Sequence, residues 1–304
     1  MSDLEILFAV TQHNSMAKAA AELGISQPAV SRAITEMEAA LGVRLLDRSR
    51  RGVVSTPYGD ALARRANAAL DEIKQGLQEI ESLSDPTVGE LYIGSPEPLT
   101  ESLLPDVIQR FWRQYPRVMI NVVLALAGEF TNLRERRIDF QINRLLPNFD
   151  ATDIDAETLF DEQIYVVTGP RNPLARRRIS RLADLINEKW VVQNNTSDNV
   201  AYAFSARKLP VPRATVAAYS AYLRNRLAAS GEFLAILTAP QLLVLRNQGM
   251  NVKVLPIDLT DLGIKVAVFK LTSRNLSPVS QLFLDYVRDA CKRGKFAAAV
   301  KHSL

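Results

Sequence analysis

The stretch Ser15–Leu41, SMAKAAAELGISQPAVSRAITEMEAAL, constrains this chain more than any other. Its punctuation predicts two short helices around a tight turn. Ser15 can cap a helix over Met16–Leu23. Ala17, Ala19, Ala20 and Ala21 are small enough to let a neighbouring helix come close. Gly24 ends that helix, because a left-handed backbone at a helix C-terminus costs glycine almost nothing. Ser26 is the next cap, and Pro28 falls in the first turn, where no intrahelical N–H is needed. Two helices at this spacing form a helix-turn-helix, a unit whose second helix can enter a DNA major groove.

On a wheel of about 100° per residue, the helix Gln27–Leu41 gathers Ala29, Val30, Ala33, Ile34, Met37 and Leu41 on one side. Gln27, Ser31, Arg32 and Thr35 gather on the other, with Ser26 and Pro28 at its start. Glutamine can pair with adenine, arginine with guanine or phosphate, and serine and threonine with either. An ordinary surface helix of an all-α domain shares this amphipathic pattern, so the segment C-terminal to it carries weight. Val43–Leu46 and Val53–Thr56 read as two short strands joined at Arg50–Gly52. Arg44, Arg48, Arg50 and Arg51 concentrate positive charge there, which suits a phosphate backbone. Residues 1–60 hold Lys18, Arg32 and these four arginines against Asp3, Glu5, Glu22, Glu36, Glu38, Asp47 and Asp60. The segment is therefore not net basic, and attraction to DNA must come from where the charge is placed. Arg64 and Arg65 extend the basic surface.

The order Leu4…Phe8, Ser15, Ala19-Ala20, Leu23, Ser26-Gln27-Pro28-Ala29-Val30-Ser31, Ile34, Glu38, Leu41-Gly42-Val43, Leu45, Arg48 and Gly59 resembles the LysR-type transcriptional regulators. Leu46 stands where that family usually has Phe, and Ser55-Thr56-Pro57 replaces its commoner Leu-Thr. The resemblance implies double-stranded DNA as a partner, a homodimer or homotetramer, a small-molecule effector, and RNA polymerase as a further candidate partner. It also implies an N-terminal all-α winged helix-turn-helix, a long linker helix and an α/β, two-lobed, periplasmic-binding-protein-like effector domain.

Thr56 can cap a helix that carries Pro57 in its first turn and runs to about Leu83. Its apolar seam is Leu62, Ala66, Ala69, Ile73, Leu77, Ile80 and Leu83, a coiled-coil spacing interrupted by Gly76. Such a seam packs either on its own chain or on a second copy, and the resemblance favours the second copy. The expected domains are 1–58 for DNA binding, 59–87 for linker and hinge, and 88–304 for effector binding. By the same resemblance, lobe one comprises 88–161 and 267–304, and lobe two 162–266.

Beyond Glu90, apolar β-branched runs alternate with amphipathic segments, which predicts α/β architecture with mostly parallel sheets. Strands are expected at Leu91–Gly94, Met119–Ala127 and Gln163–Thr168, and helices at Glu101–Tyr115, Ser180–Ile186 and Pro278–Cys291. Here the resemblance rests on Gly94…Leu104-Pro105 and Asp139-Phe140, with Asn143 unusual at its position. Two helix openings are candidate ligand sites: Thr100-Glu101-Ser102, and Asn194-Asn195-Thr196-Ser197. Hydroxyl-capped helix N-termini attract anions, and plain capping explains the same residues. A small carboxylate is the family's default ligand; Glu101 and Glu129 favour a sugar or other neutral polyol if they line the cleft. Phe130 and Phe149 read either as a wall of the site or as core.

With 304 residues, 47% hydrophobic and 23% charged, the chain can bury two or three real cores. A net charge of +4 agrees with a nucleic-acid partner without demanding one. Cys291 is the lone cysteine, so no intramolecular disulfide forms, as suits a reducing cytoplasm. Asp3 and Glu5 sit where a signal peptide would be positive, and apolar runs such as Ile120–Ala127 are too short to span a bilayer. The two distant histidines and one cysteine offer neither a metal site nor a nucleophile, no glycine-rich phosphate loop is present, and no cofactor is expected. The sequence therefore reads as a cytoplasmic, effector-modulated transcriptional regulator rather than an enzyme. The rivals are a regulator without a ligand, a transport-type solute receptor and an enzyme with an unrecognised site.

Overall fold

In the computed structural model, which describes residues 3–49, 52–85, 87–177, 181–194 and 198–293, the chain divides into two compact units, Met1–Ser84 and Asp85–Leu304. The first unit packs α1 (Asp3–His13), α2 (Met16–Leu23) and α3 (Gln27–Leu41) around Leu7, Val10, Ala19, Val30 and Ile34. Both expected caps form: Ser15 Oγ accepts from Lys18 N and Ser26 Oγ from Ala29 N, each at 3.3 Å. Gly24 takes φ 65° at the turn.

The hairpin wing is β1 (Leu46–Ser49) and β2 (Gly52–Ser55), antiparallel with Leu46 opposite Ser55. Its first strand starts three residues later than the sequence predicts. The backbone just before it is engaged elsewhere: Leu45 N and Leu46 N both donate to Glu38 Oε1, at 2.8 and 3.1 Å. Leu45 O meanwhile accepts from Thr56 N at 2.9 Å. Thr56 Oγ1 accepts from Gly59 N at 3.1 Å and so opens α4 (Pro57–Ser84). Gly59 lies so close to the wing that a Cβ there would sit 2.0 Å from Leu45 O. The first turns of α4 bury Ala63 and Ala66, while Ile73, Leu77, Ile80 and Leu83 are exposed.

The second unit runs β3 (Val88–Ser95), α5 (Glu97–Ser102), α6 (Leu104–Trp112), β4 (Arg117–Leu124), the single turn α7 (Thr131–Arg134), β5 (Phe140–Arg144) and β6 (Ile154–Glu162). It continues with β7 (Ile164–Thr168), β8 (Trp190–Gln193), α8 (Asn199–Ala206), β9 (Ala214–Ala218), α9 (Ala221–Ser230), β10 (Leu234–Thr238), α10 (Ala239–Asn247) and β11 (Lys253–Val254). The last elements are β12 (Ile264–Leu271) and α11 (Pro278–Lys292). One sheet has the order β4-β3-β5-β12-β6 and the other β11-β7-β10-β8-β9. Each is the floor of a lobe, and the chain changes lobe at Gln163 and again before Ile264, three residues ahead of the expected return to lobe one at Ala267.

Both sheets are mixed rather than mostly parallel. The crossing chain runs β6 directly into β7 with one residue between and no helix to reverse it, and β12 and β7 pair antiparallel with their neighbours. The expected helix Glu101–Tyr115 is two helices, because Pro105 has no N–H to give the Glu101 carbonyl. The segment near Ser180 holds only a 3₁₀ turn, Leu182–Leu185, and Ser180 itself lies outside the described residues. Lobe one packs Phe111, Phe140 and Phe283 between sheet and helices, and lobe two packs Trp190 against Phe204. Phe130 and Phe149 face one another with centroids 5.8 Å apart, Phe130 within a core and Phe149 packed against it, and both also line a cavity of about 280 Å³ that Arg144 shares. Among the described residues no helix is long and apolar enough to cross a membrane.

The wing contact makes a contrasting pair of substitutions. Gly59→Ala drives a methyl into the Leu45 carbonyl and is expected to cost about 3 kcal/mol. Gly76→Ala meets nothing within 4 Å in an exposed helix interior and is expected to stabilise by about 0.5–1 kcal/mol. Thermal melting of the full chain, followed by circular dichroism, checks both signs.

Candidate nucleic-acid interface and ligand cleft

The outward face of α3 is polar. Val30, Ala33 and Ile34 are buried, while Ser26, Gln27, Pro28, Arg32, Thr35 and Glu36 are exposed and Ser31 is half-buried. Ala29 and Leu41, expected on the inner side, are exposed as well, because α3 contacts its neighbours along a narrower stripe than the wheel predicts. The Thr35 hydroxyl donates to Ser31 O at 2.9 Å. Arg32 Nε donates to Glu36 Oε1 at 2.8 Å. Arg48 lies on β1 opposite Val53. Arg50 and Arg51, like the Arg48 side chain, lie outside the described residues. Arg44, Arg64 and Arg65 are exposed on the same unit.

Between the lobes, the expected ligand residues are not where the sequence puts them. Thr100, Glu101 and Ser102 form the second half of α5, whose N-cap is Pro96. Their hydroxyls point back along the helix: Thr100 Oγ1 donates to Pro96 O at 3.1 Å and Ser102 Oγ to Pro98 O at 2.7 Å. The helix therefore starts earlier than predicted, since Pro98 fits its first turn. Glu129 is exposed on the turn closed by its N–H to Leu126 O. Asn194 is exposed and donates its N–H to Ala218 O, continuing the strand ladder. Asn195, Thr196 and Ser197 lie outside the described residues. The helix they were expected to open begins at Asn199, with Asp198 as its cap. One Asp198 oxygen accepts from Ala201 N and the other from Gln193 N, both at 2.9 Å.

The structure brings together a different set. Arg144, at the end of β5, is only 8% exposed, and its Nη1 donates to Asn199 Oδ1 across the lobes at 2.6 Å. Its Nε lies 3.8 Å from Glu162 Oε2, a carboxylate at the crossover that is 1% exposed. Asn199 Nδ2 in turn donates to Ile236 O at 3.1 Å. A second bridge joins lobe one to α9: Ala221 N donates to Glu97 Oε2 at 2.6 Å. Arg224, also buried, donates to Ala218 O at 2.7 Å and to Tyr219 O. Both helix N-termini at this junction thus already hold a carboxylate of the chain itself, Asp198 on α8 and Glu97 on α9. None of these six residues was singled out in the sequence; the one local signal was a polar run, Gln141, Asn143 and Arg144, on a strand that is buried throughout.

Burial raises the Glu162 carboxyl above its ordinary range, with the Arg144 guanidinium opposing. It raises Asp198 too, opposed by the two backbone N–H groups. Glu101 is raised by burial and then by Glu97, against the pull of Arg224, while burial lowers Arg224. The centre of the cleft holds cavities of about 10 and 20 Å³, room for a water and no more. The large space is a groove of about 570 Å³ at the crossover, lined by Leu145, Leu146, Pro147, Tyr202, Ile264 and Lys265 among others. Among the described residues no cluster could hold a metal ion. Burial pushes the Cys291 thiol up to about 12, so it stays protonated.

Removing Arg144 would strand Glu162. Arg144→Ala is expected to cost roughly 3–5 kcal/mol, read as a fall in melting temperature. Glu162→Gln tests the carboxyl. A group raised in the folded state binds its proton more tightly there, so its stabilising contribution is in place at acid pH and is lost as pH rises through the folded value. Relative to the unmodified chain, Glu162→Gln should therefore gain stability between pH 5 and pH 8. A difference that is flat or reversed with pH would contradict the burial of that charge.

Comparison with known proteins agrees with both halves of this geometry. Residues 1–60 match the model of the bacterial regulatory helix-turn-helix protein, lysR family, and residues 84–292 that of the LysR substrate binding domain. The HTH-type transcriptional regulator GbpR of Rhizobium radiobacter is 34% identical over 196 residues, 64% of this chain and 65% of that protein. The match to this first relative thus spans slightly less than two thirds of its length. A regulator of the same name from Azospirillum brasilense is 27% identical over 292 residues, 94% of this chain and 85% of that one. Among solved structures, a full-length OxyR variant from Pseudomonas aeruginosa gives a TM-score of 0.70 at 20% identity, covering 100% of this chain and 99% of that one. Full-length CbnR in complex with its target DNA gives 0.55 at 22%, covering 96% and 100%. These likenesses are of fold. Because the two family models together take in most of its length, the chain belongs to the LysR family of bacterial helix-turn-helix regulatory proteins.

Proposed function

We propose that this chain is a sequence-specific, effector-modulated transcriptional regulator acting in the cytoplasm, and not an enzyme. The observation that carries the reading is α3 itself: a capped helix, held by a buried apolar stripe, that presents Gln27, Arg32 and their neighbours to solvent. Ser26, Gln27, Pro28, Ser31, Arg32 and Thr35 meet base edges and phosphates in the major groove, and the arginines of the wing, Arg48, Arg50 and Arg51, grip the backbone. Domains at 1–58, 59–87 and 88–304 divide the work. RNA polymerase is a further contact of the bound regulator.

The exposed side chains Ile73, Leu77, Ile80 and Leu83 on α4 suit a second copy of the same helix. Pairing through them makes a dimer, and dimers can pair again as tetramers. Two half-sites gripped by joined modules bind more tightly than either alone. An effector between the lobes shifts this assembly only as far as it prefers one arrangement over another. With Asp198 and Glu97 already occupying the two helix N-termini, the cleft favours a neutral, hydroxyl-rich effector of the sugar type over a carboxylate, and the lobes must part to admit it.

Selection from a random pool of DNA duplexes with the purified chain tests the reading. The expected product is one motif built of two half-sites, with affinity falling steeply in salt. No enriched motif at any salt would overturn it. Leu77→Asp is expected to shift the chain towards monomer in sedimentation and to weaken operator binding. Thermal-shift screening should show a concentration-dependent rise with neutral sugars and none with small dicarboxylates.

A further inference from the structure

Glu36 stands one helical turn beyond Arg32 on the exposed face of α3. A carboxylate there carries a penalty on DNA, since the duplex bears about one negative charge per 1.7 Å of its axis. An exposed ion pair at this spacing adds little to stability in water. Stability therefore does not account for an acidic residue on a helix face that meets phosphates when α3 lies in the major groove.

The geometry of the pair suggests a different role. Glu36 Oε1 takes the Arg32 Nε–H at 2.8 Å, and the two side chains remain 82% (arginine) and 62% (glutamate) exposed. Among the described residues the guanidinium makes no other bond, so Nη1 and Nη2 stay available as an outward fork. Arginine reads guanine by placing two N–H donors on O6 and N7, a planar match that depends on the orientation of the guanidinium. A free arginine has many rotamers and loses them on binding; one tethered at Nε is biased towards the rotamers that keep that bond.

We propose that Glu36 is a positioning residue for base readout: by holding Arg32 at Nε it aims the Nη1/Nη2 fork at one guanine in each half-site. The proposal rests on the reading of α3 as the base-contacting helix. Glu36 touches no base itself. It determines how sharply Arg32 discriminates, and the cost of its negative charge near the backbone is offset by that selectivity.

The test uses the full chain and its selected operator, with every base pair of one half-site replaced in turn and affinities read by fluorescence anisotropy across salt. The chain should prefer guanine at one position, and Arg32→Ala should abolish that preference. Glu36→Ala should reduce the same preference by about tenfold while leaving other positions unchanged. Glu36→Gln, which keeps an acceptor for Nε–H, should retain part of it. The double substitution should look like Arg32→Ala alone. Alanine at an exposed helix position preserves folding, and circular dichroism checks this. The proposal is overturned if Glu36→Ala tightens all sequences equally with the guanine preference intact, since the carboxylate then only repels phosphate. It is overturned too if Glu36→Ala relaxes a different base pair from Arg32→Ala, since Glu36 then reads its own base. Absence of any sequence preference in the unmodified chain would instead sink the reading of α3, and this inference with it.

Discussion

Arg144 is the residue on which the two-lobed unit depends. A guanidinium taken out of water needs compensation on every side, and this one gets it from two lobes at once: Asn199 on one and Glu162 at the crossover. Because neither lobe alone satisfies it, the energy of the charged group depends on how the lobes meet. The same low-dielectric surroundings raise the Glu162 carboxyl and leave the junction sensitive to any molecule that offers Arg144 or Asn199 a better partner.

The second bridge obeys the same logic. A helix N-terminus with free N–H groups is the ordinary place for an anionic ligand in a fold of this type. Here Glu97 reaches from lobe one to the first turn of α9, and Asp198 caps α8 from within its own lobe. Both positions are occupied by carboxylates of the chain, and of the two only the Glu97 contact joins one lobe to the other. Beside this junction the groove at the crossover presents Leu145, Leu146 and Pro147 as an apolar wall.

In the helical unit the unifying constraint is backbone satisfaction. Glu38 accepts two N–H groups at the start of the wing, Thr56 links the wing to the helix after it, and Gly59 allows that helix to approach the Leu45 carbonyl closely. These contacts tie α3, the hairpin and the start of α4 into one rigid piece. Rigidity matters for a reading helix, because base discrimination depends on donor placement to within a fraction of an ångström.

Much of this was legible in the residues. Ser15, Ser26, Gly24, Pro28 and Thr56 mark their helices because capping and positive φ are local, decided within a turn by the residue itself. The bounds of α2 and α3, the existence of α4 with its bare seam, and the two-lobed α/β class come from such signals and from the family pattern. What only the tertiary structure decided is the cleft. Its bridges join Arg144 to Asn199 and Glu97 to Ala221, pairs 55 and 124 residues apart, and no local pattern encodes which charges will meet at that range. Thr100 and Ser102 turn their hydroxyls back to their own helix, because Pro98 fits the first turn and the helix begins ahead of them. Capping is a contest among neighbours and can be read from sequence; burial of a charge is a bargain between distant segments and exists only once they have folded together.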